Sequence, residues 1–265
     1  MLTLLVCLGL AWCAIVAGVW LIQERLLYLP ERIEIAAAES AELRAWPSRD
    51  EFRGLIAEPR GAVTATVIVF HGNAGHAGQR EYYRWALTDL GVRVILAEYS
   101  GYGPRPGRPN ERTLVADGGE TVALARRLYG EPLILVGESL GAGVAAAVAA
   151  THAGDLAGLV LLTPWDRLAS VAAHHYPWLP VRMLLRDRYD SRGNLASFAQ
   201  PVLVAVAERD SIVPARYGTA LFESLTGPKR LEVIAGAEHN DWHERLDVGW
   251  WPRALDFVGQ RRAPR

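Results

Sequence analysis

The chain of 265 residues is long enough for one large domain and does not require two. With 28 Lys and Arg against 29 Asp and Glu, its net charge of −1 gives nothing to recommend a nucleic-acid partner. Its hydrophobic fraction of 51% exceeds the needs of a soluble domain, and part of the excess sits at the front.

Residues 2–22, "LTLLVCLGLAWCAIVAGVWLI", carry no charged side chain. At about 1.5 Å per residue such a helix spans roughly 30 Å, the thickness of a bilayer core. A cleavable signal would show a basic start, a shorter apolar run and a small-residue exit, whereas this run ends in Trp20, Leu21 and Ile22. A buried core helix is the alternative, and a terminal position argues against it. Residues 1–23 therefore read as a retained membrane anchor, followed by an amphipathic connector over 24–50. Arg25 and Arg32 flank the run on its C-terminal side, which favours a cytoplasmic catalytic domain against the pull of the N-terminal amine. Cys7 and Cys13 both lie inside the run, so no disulfide staples the rest and the fold depends on packing.

From residue 51 to 265 the sequence reads as one α/β domain. Short continuous runs rich in Val, Ile and Leu over 64–70, 92–99, 132–137, 158–164, 201–208 and 230–236 read as strands covered on both faces. Helical patterns over 78–90, 111–129, 140–153, 214–226 and 249–261 alternate with them. That alternation implies a mostly parallel sheet with helices on both faces, and "EFRGLIAE" over 51–58 could add an antiparallel edge strand. The stretch 165–200 exceeds an ordinary αβ loop and suggests a small cap over the C-terminal edge of the sheet. A packed helical excursion with no role in binding is the plainer reading. Trp165, Tyr176, Trp178 and Met183 in this region fit an acyl tunnel, but aromatic residues so spaced more often serve a core.

The glycine pattern Gly137, Gly141, Gly143 admits two readings. A dinucleotide fingerprint belongs in the first strand–helix unit, but here two apparent sheet strands come earlier. The Tyr-x-x-x-Lys pair of short-chain dehydrogenases is also missing: Lys229 is the sole lysine, and Leu225 stands four residues before it. The second reading is G-x-S-x-G, with Ser139 on a sharp corner between a buried strand and a small-residue helix. Such a turn exposes the hydroxyl, and only small neighbours let strand and helix approach so closely.

A nucleophile at Ser139 requires an acid and then a histidine later in the chain. "AERDSIVP" offers Asp210, with Glu208 as a weaker candidate and a helix cap before Pro214 as the alternative role for Asp210. "GAEHNDWHE" offers His239 just beyond the last strand. His243 reads as a surface or packing residue, and a metal reading of His239, Asp241 and His243 lacks ligands elsewhere. "VIVFHGNAG" places Asn73, or Ala74, where one oxyanion N–H belongs, and Leu140 supplies the other. His71 precedes the serine and reads as an organiser of that loop.

Over residues 50–260 the motifs "HGNAG", "GESLG", "ERDSIVP" and "GAEHND" resemble the serine α/β-hydrolases. The chain is most similar to their membrane-anchored group, which includes fungal Bem-type proteins, bacterial relatives and eukaryotic lipases and depalmitoylases. "QERLLYLP", "YSGYGPRPGRPNE" and "HHYPWLPVRMLLRDRYDS" add to that resemblance, although "EYSGYG" departs from the usual "YRGYG". The resemblance implies an α/β-hydrolase fold with a small cap and an acyl-serine mechanism needing no metal or organic cofactor. It also implies a small-molecule acyl ester or thioester as substrate, with a lipid suggested by the anchor. Two other functions stay open on the sequence: a serine peptidase of the prolyl-oligopeptidase kind, without its propeller domain, and a non-catalytic scaffold on the same fold.

Overall fold

The computed structural model describes residues 1–130 and 132–259. The last residues of the helix expected over 249–261, and the end of the segment 51–265, lie outside the described residues.

The chain starts with α1 (Leu2–Leu27), a helix with no buried residue and long and apolar enough to cross a membrane. Two short segments follow, β1 (Leu29–Pro30) and α2 (Ile35–Ala38), and then the first strands of the large sheet, β2 (Arg44–Trp46) and β3 (Gly54–Ala57). Next come β4 (Ala65–Phe70), β5 (Ala74–Gly75), α3 (Tyr82–Leu87), β6 (Val92–Ala97) and α4 (Glu111–Tyr129). The second half holds β7 (Leu133–Glu138), α5 (Leu140–His152), β8 (Leu156–Leu162), α6 (Leu168–His175), α7 (Val181–Leu184) and α8 (Ser191–Asn194). It ends with β9 (Val202–Ala207), α9 (Ala215–Ser224), β10 (Lys229–Ile234) and α10 (Trp250–Gly259).

Eight strands form one sheet in the order β10-β9-β8-β7-β4-β6-β3-β2. From β10 to β6 every pair is parallel, and only β3 and β2 run antiparallel at the edge. Alternate residues of each central strand enter opposite cores, as a period of two dictates. Leu133 and Leu135 of β7 pack with Leu114 and Val122 of α4, Val144 and Val148 of α5, and Leu221 of α9. Ile134 and Val136 face the other way, toward Tyr83 of α3 and Trp250 and Ala254 of α10. Both faces are thus covered, which explains the unbroken apolar strands.

The strand at 51–58 is present as β3, but β2 extends the sheet by one more strand from the stretch read as a connector. Three residues long, it carries Trp46 into the core at 2% exposure and has no periodicity to read. The helix expected over 78–90 is three pieces: a 3₁₀ turn at Ala77–Arg80, α3, and a second turn at Thr88–Leu90 closed by left-handed Gly91. The stretch 165–200 holds α6, α7 and α8, starting from the C-terminal end of β8. Its return is pinned beneath the helix after the sharp turn. Tyr189 is fully buried, and a Cβ at Gly143 of α5 would lie 2.9 Å from its ring. Glu111, the first residue of α4, accepts the Arg188 and Tyr189 backbone N–H groups at 2.6 and 2.9 Å.

Candidate active site

Because the central strands are parallel, the loops after β4, β7, β9 and β10 all emerge at one edge of the sheet. Those four loops carry His71 to Asn73, Ser139, Asp210 and His239.

Ser139 joins β7 to α5 at φ 53° and ψ −114°, a conformation that costs a non-glycine residue about 1–3 kcal/mol. Its neighbours show why the turn needs glycine. A Cβ at Gly141 would stand 1.9 Å from the Phe70 carbonyl oxygen, and one at Gly137 would stand 2.5 Å from that of Gly141. The Ser139 N–H donates to Leu162 O at 2.9 Å, and its carbonyl accepts from Ala142 N at 2.9 Å. The corner is therefore held from both sides with its side chain facing out of the sheet edge.

His239 Nε2 lies 2.9 Å from Ser139 Oγ, and His239 Nδ1 lies 2.7 Å from Asp210 Oδ2. The three residues are only 7–9% exposed, so little water competes for these bonds. Asp210 Oδ1 accepts the Ile212 and Val213 N–H groups at 2.9 and 2.6 Å, which fixes the carboxylate with Oδ2 toward the imidazole. The aspartate thus also caps its own turn. Glu208, the weaker acid candidate, points elsewhere and accepts Gly236 N–H at 2.6 Å, stitching the loop after β9 to the one after β10. His243 does not approach the serine; its ring stacks on Tyr82 at 4.5 Å.

The loop after β4 runs directly against the serine, since a Cβ at Gly72 would lie 3.8 Å from Ser139 Cβ. Asn73 is held through its carbonyl and its side-chain amide nitrogen. Its carbonyl accepts from Leu29 N at 2.9 Å and Tyr102 OH at 2.7 Å, and its Nδ2 donates to Leu27 O at 2.9 Å. Leu140 is the first residue of α5, where the N–H has no partner inside the helix.

His71 is 1% exposed and touches neither Ser139 nor His239 by hydrogen bond among the described residues. Its Nδ1 donates to Gly72 O at 2.8 Å, and its Nε2 meets Glu98 Oε1 at 3.0 Å. Glu98, equally buried, also accepts Ala77 N at 3.0 Å and Tyr99 N at 3.2 Å. The "YSGYGPRP" segment encloses this pair: Tyr99 OH donates to His71 O at 3.0 Å, and a Cβ at Gly103 would lie 2.3 Å from Glu98 Oε2.

Sequence reasoning missed the support of Glu138, the residue before the serine. Its carboxylate accepts from Arg80 Nε at 3.0 Å, from Tyr83 OH at 3.2 Å and, over a short contact, from Tyr82 OH. Burial alone would raise the Glu138 carboxyl, but the Arg80 charge and then the Tyr82 hydroxyl outweigh it and hold it below the ordinary value of 4.5. Burial likewise keeps the Tyr82 and Tyr83 hydroxyls protonated, as donors to that carboxylate.

A cavity of about 320 Å³ lies between the end of α1 and the stretch 165–200, with Ile212, two residues after Asp210, in its wall. Tyr176 and Trp178 line it, whereas Trp165 is buried with its Nε1 on Tyr189 O at 3.3 Å and Met183 is 87% exposed. A larger depression of about 730 Å³ lies around Arg49, Arg53, Glu120 and Arg127, and neither Ser139, Asp210, His239, Asn73 nor Leu140 lines it.

A parallel sheet with helices on both faces and a serine on a strained strand-to-helix corner define a class, and comparison with known proteins places the chain in it. Residues 61–191 match the family Hydrolase_4, described as serine aminopeptidase, S33. "Uncharacterized protein Rv2307c" of Mycobacterium tuberculosis is 38% identical over 244 residues, covering 86% of this chain and 84% of its own. The human "alpha/beta hydrolase domain-containing protein 17B" is 28% identical over 199 residues, covering 74% of this chain and 66% of its own. Among solved structures, ferulic acid-bound Est1E from Butyrivibrio proteoclasticus superposes with a TM-score of 0.64 at 18% identity, covering 77% of this chain and 94% of that one. A monoacylglycerol lipase from Paleococcus ferrophilus gives 0.59 at 21% identity, covering 77% and 97%. The chain belongs to the α/β-hydrolase family, and it is a hydrolase by that membership.

Proposed function

We propose that the protein is a membrane-anchored serine hydrolase that cleaves carboxylic esters or thioesters of acyl chains through an acyl-serine intermediate. The observation that carries this reading is the continuous hydrogen-bonded line from Ser139 Oγ through His239 to Asp210.

In this reading His239 Nε2 takes the Ser139 proton as Oγ attacks the acyl carbonyl, and Asp210 holds the Nδ1–H tautomer and balances the imidazolium. The N–H groups of Asn73 and Leu140 bind the tetrahedral oxyanion, each lowering the barrier by about 3 kcal/mol. The imidazolium then protonates the leaving alcohol or thiol. Water, deprotonated by His239, attacks the acyl-serine; the imidazolium returns that proton to Ser139 Oγ as the acyl–Oγ bond breaks and the acid departs.

Residues 1–23 serve as the anchor in this proposal, 24–50 as the connector and 51–265 as the catalytic domain, with 165–200 as its cap. Apolar α1 supports the anchor, and Arg25 and Arg32 support a catalytic domain on the cytoplasmic side. The monoacylglycerol lipase among the fold neighbours supports acyl esters as the substrate class. A peptidase is the second reading, favoured by the description of the matching family.

Nitrophenyl esters of graded chain length, assayed beside aminoacyl-nitroanilides, separate the two. The ester reading expects turnover of the esters that Ser139→Ala abolishes, with little release from the anilides. Preferential anilide cleavage would replace it with the peptidase reading.

A further inference from the structure

The end of α1 does not hang free of the domain. Gln23 reaches the stretch 176–189 in both directions: its Nε2 donates to Leu184 O at 3.2 Å, and its Oε1 accepts Arg186 N–H at 2.9 Å. The Arg186 guanidinium lies 3.9 Å over the Trp20 ring and 3.4 Å from Glu24. Tyr28 OH donates to Asp187 Oδ2 at 2.6 Å, and the rings of Trp12 and Trp178 meet edge to face at 5.7 Å. A helix serving only as a tether needs none of these contacts.

The cavity of about 320 Å³ lies within this junction. One wall is Val19, Leu26 and Leu27 of α1; the facing wall includes Val171, Ala172 and Leu179. Four polar wall residues are already engaged: Gln23 and Glu24 as described, Asp187 with Tyr28, and His175 through Nε2 donating to Ile212 O at 2.7 Å. What remains open to a ligand, the Tyr176 and Trp178 rings included, is largely apolar surface. Two wall residues tie the cavity to the chemistry. Ile212 donates its N–H to Asp210, and Leu27 holds Asn73 through its carbonyl.

The position on α1 identifies the occupant. About twenty residues of helix span a hydrocarbon core, so with residues 2–22 embedded Val19 sits in hydrocarbon and Leu26 and Leu27 reach the headgroup level. The cavity therefore meets the leaflet at its boundary. We propose that it is the acyl-chain site: α1 and the stretch 168–185 form a slot that receives the long chain of a membrane-resident acyl ester from the adjacent leaflet, so the chain reaches the site without crossing water. The membrane helix is then part of the substrate site. This inference rests on the acyl-serine reading of Ser139.

The test uses the full chain in mixed micelles, with Val19→Trp on the helix wall and Ala172→Trp on the facing wall. Each methylene withdrawn from water favours binding by about fourfold, so a bulky ring in the slot acts on long chains selectively. We expect kcat/KM for nitrophenyl laurate to fall at least about tenfold in both variants, while that for the butyrate ester and the rate of fluorophosphonate labelling stay within about twofold. Equal losses on both esters, or no loss on either, overturn the slot while leaving the acyl-serine reading in place. A wild-type protein that takes no fluorophosphonate label overturns that reading, and the slot with it.

Discussion

The carboxylate of Glu138, one residue before Ser139, is bound by the Arg80 guanidinium at 3.0 Å, across 58 positions of chain. The side chains are only 11% and 16% exposed, so the pair joins the sharp turn to the 3₁₀ turn before α3 in a setting where a lone charge is costly. Tyr82 donates to the same carboxylate and stacks on His243, four residues beyond His239. The serine loop and the histidine loop are thereby braced through one cluster.

Removing Arg80 should leave a buried, uncompensated carboxylate. Arg80→Met is expected to lower unfolding stability by on the order of 3 kcal/mol, measured by urea denaturation at neutral pH. Glu138→Gln, which keeps the shape and the Tyr82 and Tyr83 contacts, should cost less.

The same pair predicts an acid limb. The Glu138 carboxyl is held below 4.5 in the folded protein, so its contribution is complete above that value and fades as pH falls through the lowered one. The stability gap between wild type and Glu138→Gln should be constant from pH 8 to 6 and narrow below about pH 4.5 in thermal melts. A gap that widens in acid would contradict the assignment of this charge.

Asp210→Asn should disable the imidazole while leaving the fold intact. The Ile212 and Val213 N–H groups require an oxygen at Oδ1, so the amide must turn its NH₂ toward His239 Nδ1. That donor selects the wrong tautomer, with the proton on Nε2 facing Ser139. We expect kcat to drop about ten-thousandfold with an unchanged melting temperature.

Gly141→Ala tests the sharp turn. Its methyl would stand 1.9 Å from a backbone oxygen that no rotamer can move. Loss of more than about 4 kcal/mol, or failure to fold, is expected by circular dichroism, against a mild effect for Gly154→Ala, where a Cβ meets nothing within 4 Å.

How far the sequence was legible depended on how local each signal was. β7 and α5 declare themselves in one stretch of 20 residues, 133–152, where a buried apolar strand, small residues and the serine stand side by side. Nothing local reports Arg80 as the partner of Glu138, or Glu98 as the partner of His71, because a charged residue destined for burial looks like any solvated one. β2 is too short to show a period. The docking of α1 on the stretch 176–189 arises from Gln23, Trp20 and Tyr28, residues that an anchor–connector reading treats as a passive joint.

The central claim is that Ser139 is made nucleophilic by His239, and active-site labelling with a fluorophosphonate followed by peptide mass mapping tests it most directly. The account predicts a single adduct on the peptide containing Ser139, absent from Ser139→Ala and slowed at least about a thousandfold in His239→Ala. An adduct on another residue, or undiminished labelling of the alanine variant, would contradict it.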